Sequence, residues 1–212
     1  MLSDIKAIVF DLDGTLYINR ELGRAINQSA CRYIASLRGI DAEAAAAMIK
    51  ATKRMLASVN GIAAPLSLAC MELGGDIREL HRHFAEEIAP EPYLSIDSRV
   101  VDLLRGLRTR YDLYVYTNNN SFLSERIMRS IGVTGLFQRV ITIEDTWRPK
   151  PDLRIVDKII NDIGRKPVEC LFVGDRYDID LRYPADLGAA IFMVTSIEDL
   201  LNLNTITIEE NI

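Results

Sequence analysis

Short apolar runs alternate with amphipathic segments along most of the chain. The runs are continuous rather than alternating, which is typical of strands covered on both faces. The predicted strands span residues 5–10, 113–116, 139–143, 170–173 and 190–194, and the predicted helices between them span 98–110, 122–130 and 153–163. Strands that alternate with helices predict an α/β fold, a Rossmann-like three-layer core around a parallel β-sheet.

The interval from residue 17 to about residue 91 departs from this pattern. It has no strand signal, and its periodicity predicts four helices over 21–38, 41–58, 65–73 and 77–88. These helices could simply pack on the sheet, but the interval is far too long for an ordinary connection between a strand and the next element. We therefore predict an inserted all-helical domain over 17–91 and a core domain built from 1–16 and 92–212.

Composition restricts the class of protein. The chain has 212 residues, 49% of them hydrophobic, and a net charge of −5, which argues against a nucleic-acid partner. No apolar stretch approaches the length of a membrane span, and the first residues do not resemble a secretory signal, so no membrane partner is expected. The three cysteines are odd in number and widely spaced, which favours reduced thiols and a cytoplasmic location.

Polar side chains follow four of the predicted strands, either directly after the strand or in the loop that comes after it. Ligands of open parallel sheets bind at the carboxyl ends of the strands, so these side chains are expected to meet. The candidates are Asp11 and Asp13 after the first strand, Thr117 and Asn118 after the second, Lys150 after the third, and Asp175, Asp178 and Asp180 after the fourth.

The chemistry of this set points to phosphoryl transfer. Close carboxylates need a cation, and ligands that are all hard oxygens suit Mg²⁺. Asp11 would attack phosphorus and form an aspartyl-phosphate, while Lys150 and Thr117 offset the charge of the transferring oxygens. Asp13, placed two residues after Asp11 so that both point the same way in an extended segment, would protonate the leaving alcohol and then activate water.

Four segments in order resemble the motifs of the haloacid dehalogenase superfamily: Asp-Leu-Asp-Gly-Thr-Leu at 11–16, Thr117, the Lys150-Pro pair, and Gly174-Asp175 with Asp180. The resemblance implies that Asp11 is the nucleophile and Asp13 the acid/base, and that Thr117, Asn118 and Lys150 bind phosphate. It implies a metal site of Asp11, Asp13 through its backbone carbonyl, Asp175 and Asp180. The helical insertion resembles the cap of one subclass; Asp178 is equally well explained as a solvated acid.

The expected activity is hydrolysis of a small phosphorylated metabolite, such as a phosphoglycolate- or nucleoside-monophosphate-like substrate. The dehalogenases of the superfamily lack an acid two residues after the nucleophile, so Asp13 favours phosphate esters over haloacids. A phosphomutase of the same superfamily and a phosphoacceptor signalling protein on a similar scaffold stay open as alternatives. The oligomeric state is expected to be monomer or homodimer.

The predicted insertion carries five basic residues that could reach an anionic substrate. For most of them, a solvated helix face is the favoured explanation. They are Arg20, Arg24, Lys50, Lys53 and Arg54.

Overall fold

The computed structural model of the chain describes residues 4–208, and the side chains of these residues except those of 60 and 204–208. The outer ends of the predicted core ranges, 1–3 and 209–212, lie outside the described residues. Five parallel strands form one sheet in the order β3-β2-β1-β4-β5. Their bounds are Ala7–Phe10 (β1), Asp112–Tyr116 (β2), Arg139–Ile141 (β3), Cys170–Gly174 (β4) and Ala190–Met193 (β5).

The register of the central strands brings their carboxyl ends level with one another. Phe10, the last residue of β1, lies opposite Val115 of β2 and Val173 of β4. The ladder continues for one more bond, because the backbone N–H of Asp11 donates to the carbonyl of Val173 at 2.8 Å. Residues that follow β1, β2 and β4 therefore start from one edge of the sheet.

The two faces of the sheet are covered by separate apolar cores. Alternate residues of β1 divide between them, with Ile8 and Phe10 in one and Ala7 and Val9 in the other. This division is the reason that the strands are apolar without interruption. The result is a three-layer α/β core, and the predicted fold class is confirmed.

Five helices accompany the strands of the sheet in the described chain, most of them with an acidic or amide side chain at the start. Asp97, Asn120 and Asp152 each accept a hydrogen bond from the first turn of the helix that follows. The helices are Ser98–Arg108 (α5), Ser121–Ser130 (α6), Leu153–Asp162 (α7), Arg182–Asp186 (α8) and Ile197–Ile208 (α9).

Four helices lie between β1 and α5, as the sequence predicts, and we call them the helical segment. Their bounds are Arg20–Arg38 (α1), Ala42–Asn60 (α2), Leu66–Glu72 (α3) and Ile77–Glu87 (α4). Asn19 caps the start of α1, and Gly39 ends it in the left-handed conformation. The core on one face of the sheet is continuous with the apolar side chains of this segment, among them Leu22, Leu80 and Phe84. The division into a core domain and a cap domain stays a prediction.

Most differences between the predicted and observed elements are small shifts of their ends. One of them concerns the third strand, which was expected to reach residue 143 but ends at Ile141. The chain there forms a short 3-10 turn over Ile143–Asp145, because the Asp145 carboxylate accepts hydrogen bonds from the backbone and hydroxyl of Thr142. After β4, a single π-helical turn over Tyr177–Leu181 precedes the expected short helix.

Candidate active site

Asp11 is buried at the carboxyl end of β1, with a relative exposure of 5%. One of its oxygens, Oδ1, accepts a hydrogen bond from the Lys150 ammonium at 2.6 Å. The same ammonium donates to Oδ1 of Asp180 at 2.8 Å. A single cation thus joins two carboxylates that come from strands β1 and β4.

Lys150 is 2% exposed, and it has contacts through its backbone as well as through its ammonium group. Its backbone N–H donates to the side-chain oxygen of Asn118 at 2.7 Å, and its ammonium lies 4.7 Å from the centroid of the Tyr116 ring. Burial opposes the charged form of this lysine, but the carboxylates of Asp11 and Asp180 outweigh burial and raise the pKa of Lys150. The ammonium is therefore a fixed positive charge at this edge.

Asp11, Asp175 and Asp180 form a cluster in which one carboxylate oxygen from each residue lies within 4.8 Å of the others. Oδ1 of Asp175 is buried without a hydrogen bond from the described residues, and its ion pair with Nε of Arg176 is long, at 3.4 Å. All three donors are hard oxygens, which is the ligand chemistry that Mg²⁺ prefers. These residues fit a divalent cation.

Gly14 is the residue that lets Asp175 approach the first strand. Its φ is +87°, and a Cβ at this position would come within 2.5 Å of Oδ2 of Asp175. A glycine therefore satisfies two requirements here, a left-handed turn and a close contact with a carboxylate.

The cluster holds more acidic groups than its nearby cations balance. Burial raises the pKa of Asp11 to about 7, although Lys150 acts in the opposite direction. Burial likewise raises the pKa of Asp175. An additional positive charge among these oxygens would favour their ionised forms.

The carboxylate of Asp13 has different partners from that of Asp11. Its Oδ2 accepts hydrogen bonds from Nδ2 of Asn119 at 2.7 Å and from the hydroxyl of Thr117 at 3.4 Å. Its Oδ1 accepts one from the hydroxyl of Tyr17. The expectation that Asp11 and Asp13 point the same way stays a prediction, and β1 ends before both of them, at Phe10.

A cavity of about 360 Å³ opens at this edge of the sheet, between the strand ends and the helical segment. Asp13, Asn118 and Asp175 line it. The other predicted site residues, Asp11, Thr117, Lys150 and Asp180, are buried beside these three rather than along the wall. On the opposite side, the cavity is lined by helical-segment residues that include Arg20, Ile26, Lys53, Leu66, His81 and Phe84.

A larger cavity of about 570 Å³ lies between α6 and β3. None of the predicted site residues lines it, so size alone does not mark the site. Asp178 is also outside the carboxylate cluster, since it pairs with Arg182 at 2.6 Å. Trp147 is not among the residues that line the site cavity; the guanidinium carbon of Arg78 lies 4.5 Å from the centroid of its ring.

Sequence reasoning missed the residues that hold the predicted ones in place. Tyr17 and Asn119 donate hydrogen bonds to the carboxylate of Asp13. The spacing of Tyr17 four residues after Asp13 is a weak signal for the turn that joins them. The Asn119 contact spans 106 positions, so no local pattern predicts it.

The sequence profile of one family, the haloacid dehalogenase-like hydrolases, matches residues 5–188, which include every residue of this site. This chain belongs to that family. The prediction of a haloacid dehalogenase-like enzyme is therefore confirmed.

Relatives of this hydrolase include phosphatases. It is 22% identical over 206 residues to a glyceraldehyde 3-phosphate phosphatase of Methanothermobacter thermautotrophicus, covering 91% of this chain and 86% of the relative. It is 29% identical over 191 residues to the putative pyrophosphatase PpaX of Clostridium perfringens, covering 82% and 78%. Its fold is similar to that of the putative hydrolase YfnB of Bacillus subtilis bound to magnesium, with a TM-score of 0.58, 19% identity and coverage of 95% and 99%.

These relatives confirm the expectation of a phosphatase-type hydrolase at the level of the enzyme class. Among the described helices, none has the length and apolar character that crossing a bilayer requires.

Proposed function

We propose that this hydrolase is a Mg²⁺-dependent phosphatase of small phosphorylated metabolites that works through an aspartyl-phosphate on Asp11. The observation that carries the proposal is the cluster at the end of β1. There, the Asp11 carboxylate lies 2.6 Å from a buried ammonium and within 4.8 Å of two further acids. Phosphoryl transfer depends mainly on positioning and charge stabilisation, and this cluster supplies both.

The proposed reaction has two steps. In the first, an oxygen of Asp11 forms a bond to phosphorus, the bond from phosphorus to the leaving oxygen breaks, and Asp13 gives that oxygen its proton. In the second step, Asp13 takes a proton from a water molecule, and the water oxygen forms a bond to phosphorus. The bond from phosphorus to the Asp11 oxygen breaks, which releases inorganic phosphate and restores the Asp11 carboxylate. The hydrogen bonds from Tyr17 and Asn119 support this role, because they hold the Asp13 carboxylate at the cavity wall.

Lys150, Thr117 and Asn118 are proposed to stabilise the phosphoryl group. Lys150 is the strongest candidate, since hydrogen bonds to the carboxylates of Asp11 and Asp180 keep it charged. The hydroxyl of Thr117 donates a hydrogen bond to Asp13 and accepts one from the backbone N–H of Asn119 at 3.1 Å. Thr117 therefore also stabilises the loop after β2. Asn118 lines the cavity.

The carboxylates of Asp11, Asp175 and Asp180 and the backbone carbonyl of Asp13 are proposed to hold Mg²⁺. When bound, the cation supplies positive charge that reduces repulsion between the carboxylate nucleophile and the phosphate dianion. The donor set supports this assignment because it contains only hard oxygens. YfnB, a protein of similar fold, binds magnesium, which also supports it.

The location is proposed to be cytoplasmic, in keeping with the free thiols of Cys31, Cys70 and Cys170.

The helical segment is proposed to act as a cap domain over 17–91, with 1–16 and 92–212 as the core. Its side chains form one wall of the cavity, which supports a role in excluding water and choosing the substrate. Phosphoglycolate- and nucleoside-monophosphate-like compounds are the proposed substrate classes. Relatives that act on glyceraldehyde 3-phosphate and, putatively, on pyrophosphate support small phosphorylated metabolites in general.

The test is release of inorganic phosphate from a panel of phosphomonoesters, with Mg²⁺ and with excess chelator. We expect activity that requires Mg²⁺ and that falls at least about a thousandfold in Asp11→Asn, because the amide is a poor nucleophile. The matched control is Asp102→Asn on the exposed surface of α5, which should keep wild-type activity. Wild-type turnover by Asp11→Asn would overturn the mechanism.

The same assay separates the two alternatives. A phosphomutase would return the phosphate to another hydroxyl of the substrate, so an isomeric phosphoester would appear in place of inorganic phosphate. A phosphoacceptor protein would accumulate a stable phosphoprotein without turnover. The phosphatase proposal predicts inorganic phosphate in many-fold excess over enzyme.

A further inference from the structure

Two cations of the helical segment line the active-site cavity and come from different helices. Arg20 is the first residue of α1, and Lys53 lies in α2. Within the part of the chain whose side chains are described, neither makes a hydrogen bond or an ion pair. Both therefore line the helical-segment side of the cavity with positive charge, whereas the acids of the cavity, Asp13 and Asp175, lie at the strand ends.

The position of Arg20 is unfavourable for the helix that carries it. The amino end of a helix carries a partial positive charge, so a cation in the first turn costs about 0.3–1 kcal/mol. Helix α1 already has its stabilising groups at this end, since Asn19 accepts the backbone N–H groups of Glu21 and Leu22 and Glu21 supplies a negative charge. Arg20 is exposed and lines the cavity, and helix stability does not by itself favour an arginine here.

Lys53 is only partly exposed, in contrast to its basic neighbours. Burial, and secondarily the nearby guanidinium of Arg176, lower the pKa of Lys53. This is the direction expected for an ammonium that lacks an anionic partner. Lys50 and Arg54, on the same helix, are exposed and lie outside the cavity, as does Arg24 on α1. Two of the five basic candidates are thus selected by their position.

The cations near the phosphoryl site are already engaged. Lys150 donates to Asp11 and Asp180, and Arg176 pairs with Asp175 at 3.4 Å. Arg20 and Lys53 are supplied by the opposite wall, the one formed by the helical segment. The leaving group of a substrate whose phosphoryl group is at the strand ends would extend toward this wall.

We propose that Arg20 and Lys53 bind a second anionic group, a carboxylate or a second phosphate, on the leaving group of the substrate. The inference rests on the proposed phosphatase function and adds the substrate class: small phosphomonoesters that carry another negative charge. Of the two substrate classes proposed above, this favours phosphoglycolate-like compounds, whose leaving group carries a carboxylate, over nucleoside monophosphates, whose leaving group is neutral.

The test compares pairs of substrates in which one member carries a second anionic group and the other does not. One pair is 3-phosphoglycerate and glyceraldehyde 3-phosphate, which differ by a carboxylate against an aldehyde. The other pair is propane-1,3-diol bisphosphate and propyl phosphate. We expect kcat/KM to be at least about tenfold higher for the member of one pair that carries the second anionic group. The pair that shows this preference identifies whether the site binds a carboxylate or a second phosphate.

The variants Lys53→Met and Arg20→Met should each lower kcat/KM for the charged member by roughly tenfold, mainly through KM, and so remove most of the preference, since a charge-assisted hydrogen bond is lost. Lys53→Arg should retain most of it. The matched controls Lys50→Met and Arg24→Met remove exposed charges from the same two helices and should leave the preference unchanged. Circular dichroism and thermal melts identify any variant that fails to fold, in which case Lys53→Gln replaces it.

Failure of the inference is distinct from failure of the function. Phosphate release with equal kcat/KM for both members of both pairs would overturn the second anion site and leave the phosphatase intact. If no substrate is turned over, binding of the same pairs to Asp11→Asn, measured by calorimetry, still tests the site. Equal affinities within both pairs would then overturn the inference.

Discussion

Replacing Gly14 by alanine tests whether the approach of Asp175 to the first motif builds the metal site. The added Cβ would lie 2.5 Å from Oδ2 and 2.8 Å from Cγ of Asp175, well inside van der Waals contact. The carboxylate must therefore move by about 0.5–1 Å if the backbone stays in place, whereas metal–ligand distances tolerate about 0.2 Å. We expect the apparent affinity for Mg²⁺ to fall roughly 10- to 100-fold, the range seen when a ligand loses its support.

The same substitution also strains the backbone, so a second glycine is needed as a control. Gly39 has a φ of +65°, and a Cβ there would meet nothing within 4 Å. Gly39→Ala should cost about 1–2 kcal/mol of unfolding free energy, with Mg²⁺ dependence unchanged. Gly14→Ala should show a comparable or larger loss of stability, because its φ of +87° lies farther from the left-handed region that alanine tolerates.

The assay is phosphate release titrated with Mg²⁺, together with urea unfolding of both variants. A Gly14→Ala protein that needs no more Mg²⁺ than the wild type would refute the reasoning. So would a Gly39→Ala protein with an equal loss of Mg²⁺ affinity, because that would trace the effect to strain and not to Asp175.

Three further substitutions probe the groups around the site. Lys150→Met leaves two buried carboxylates without their cation, so it should abolish activity and cost about 3–5 kcal/mol of unfolding free energy, while the exposed Lys158→Met costs less than about 1 kcal/mol. Tyr17→Phe removes one hydrogen bond to Asp13, and we expect roughly a tenfold fall in kcat; an unchanged kcat would argue against a role for this contact. Asn120→Ala removes the side chain that caps the start of α6 and its buried hydrogen bond to the carbonyl of His81 in the helical segment. The free energy of unfolding should therefore fall by about 1–3 kcal/mol, with a lower thermal midpoint, and a melting curve identical to that of the wild type would contradict this.

The convergence of the motif residues is what the sequence could predict. Continuous apolar strands imply a parallel sheet, and its carboxyl ends bring together residues as distant as Asp11 and Lys150. These two residues are separated by 139 positions in the sequence, but this separation does not keep them apart once both follow strands of one parallel sheet. The four helices of the segment were also predictable, because Asn19 and Gly39 are local start and stop signals.

The detailed directions of the side chains could not be read in the same way. The spacing of Asp11 and Asp13 suggests a shared direction only if the strand continues, and it stops at Phe10. The partners of Asp13, Tyr17 and Asn119, depend on the turn at Gly14 and on the loop after β2. Such contacts follow from tertiary packing, which a single sequence does not contain.

The central claim concerns a covalent bond between phosphorus and the carboxylate of Asp11. It is tested most directly by quenching the enzyme with acid during turnover of a good substrate and mapping the phosphorylated peptide by mass spectrometry. We predict a phosphoryl group on the peptide that contains Asp11, present only with Mg²⁺, lost on hydroxylamine treatment and missing from Asp11→Asn. Turnover at full rate with this peptide unmodified, or an acyl phosphate on another acid, would contradict the account.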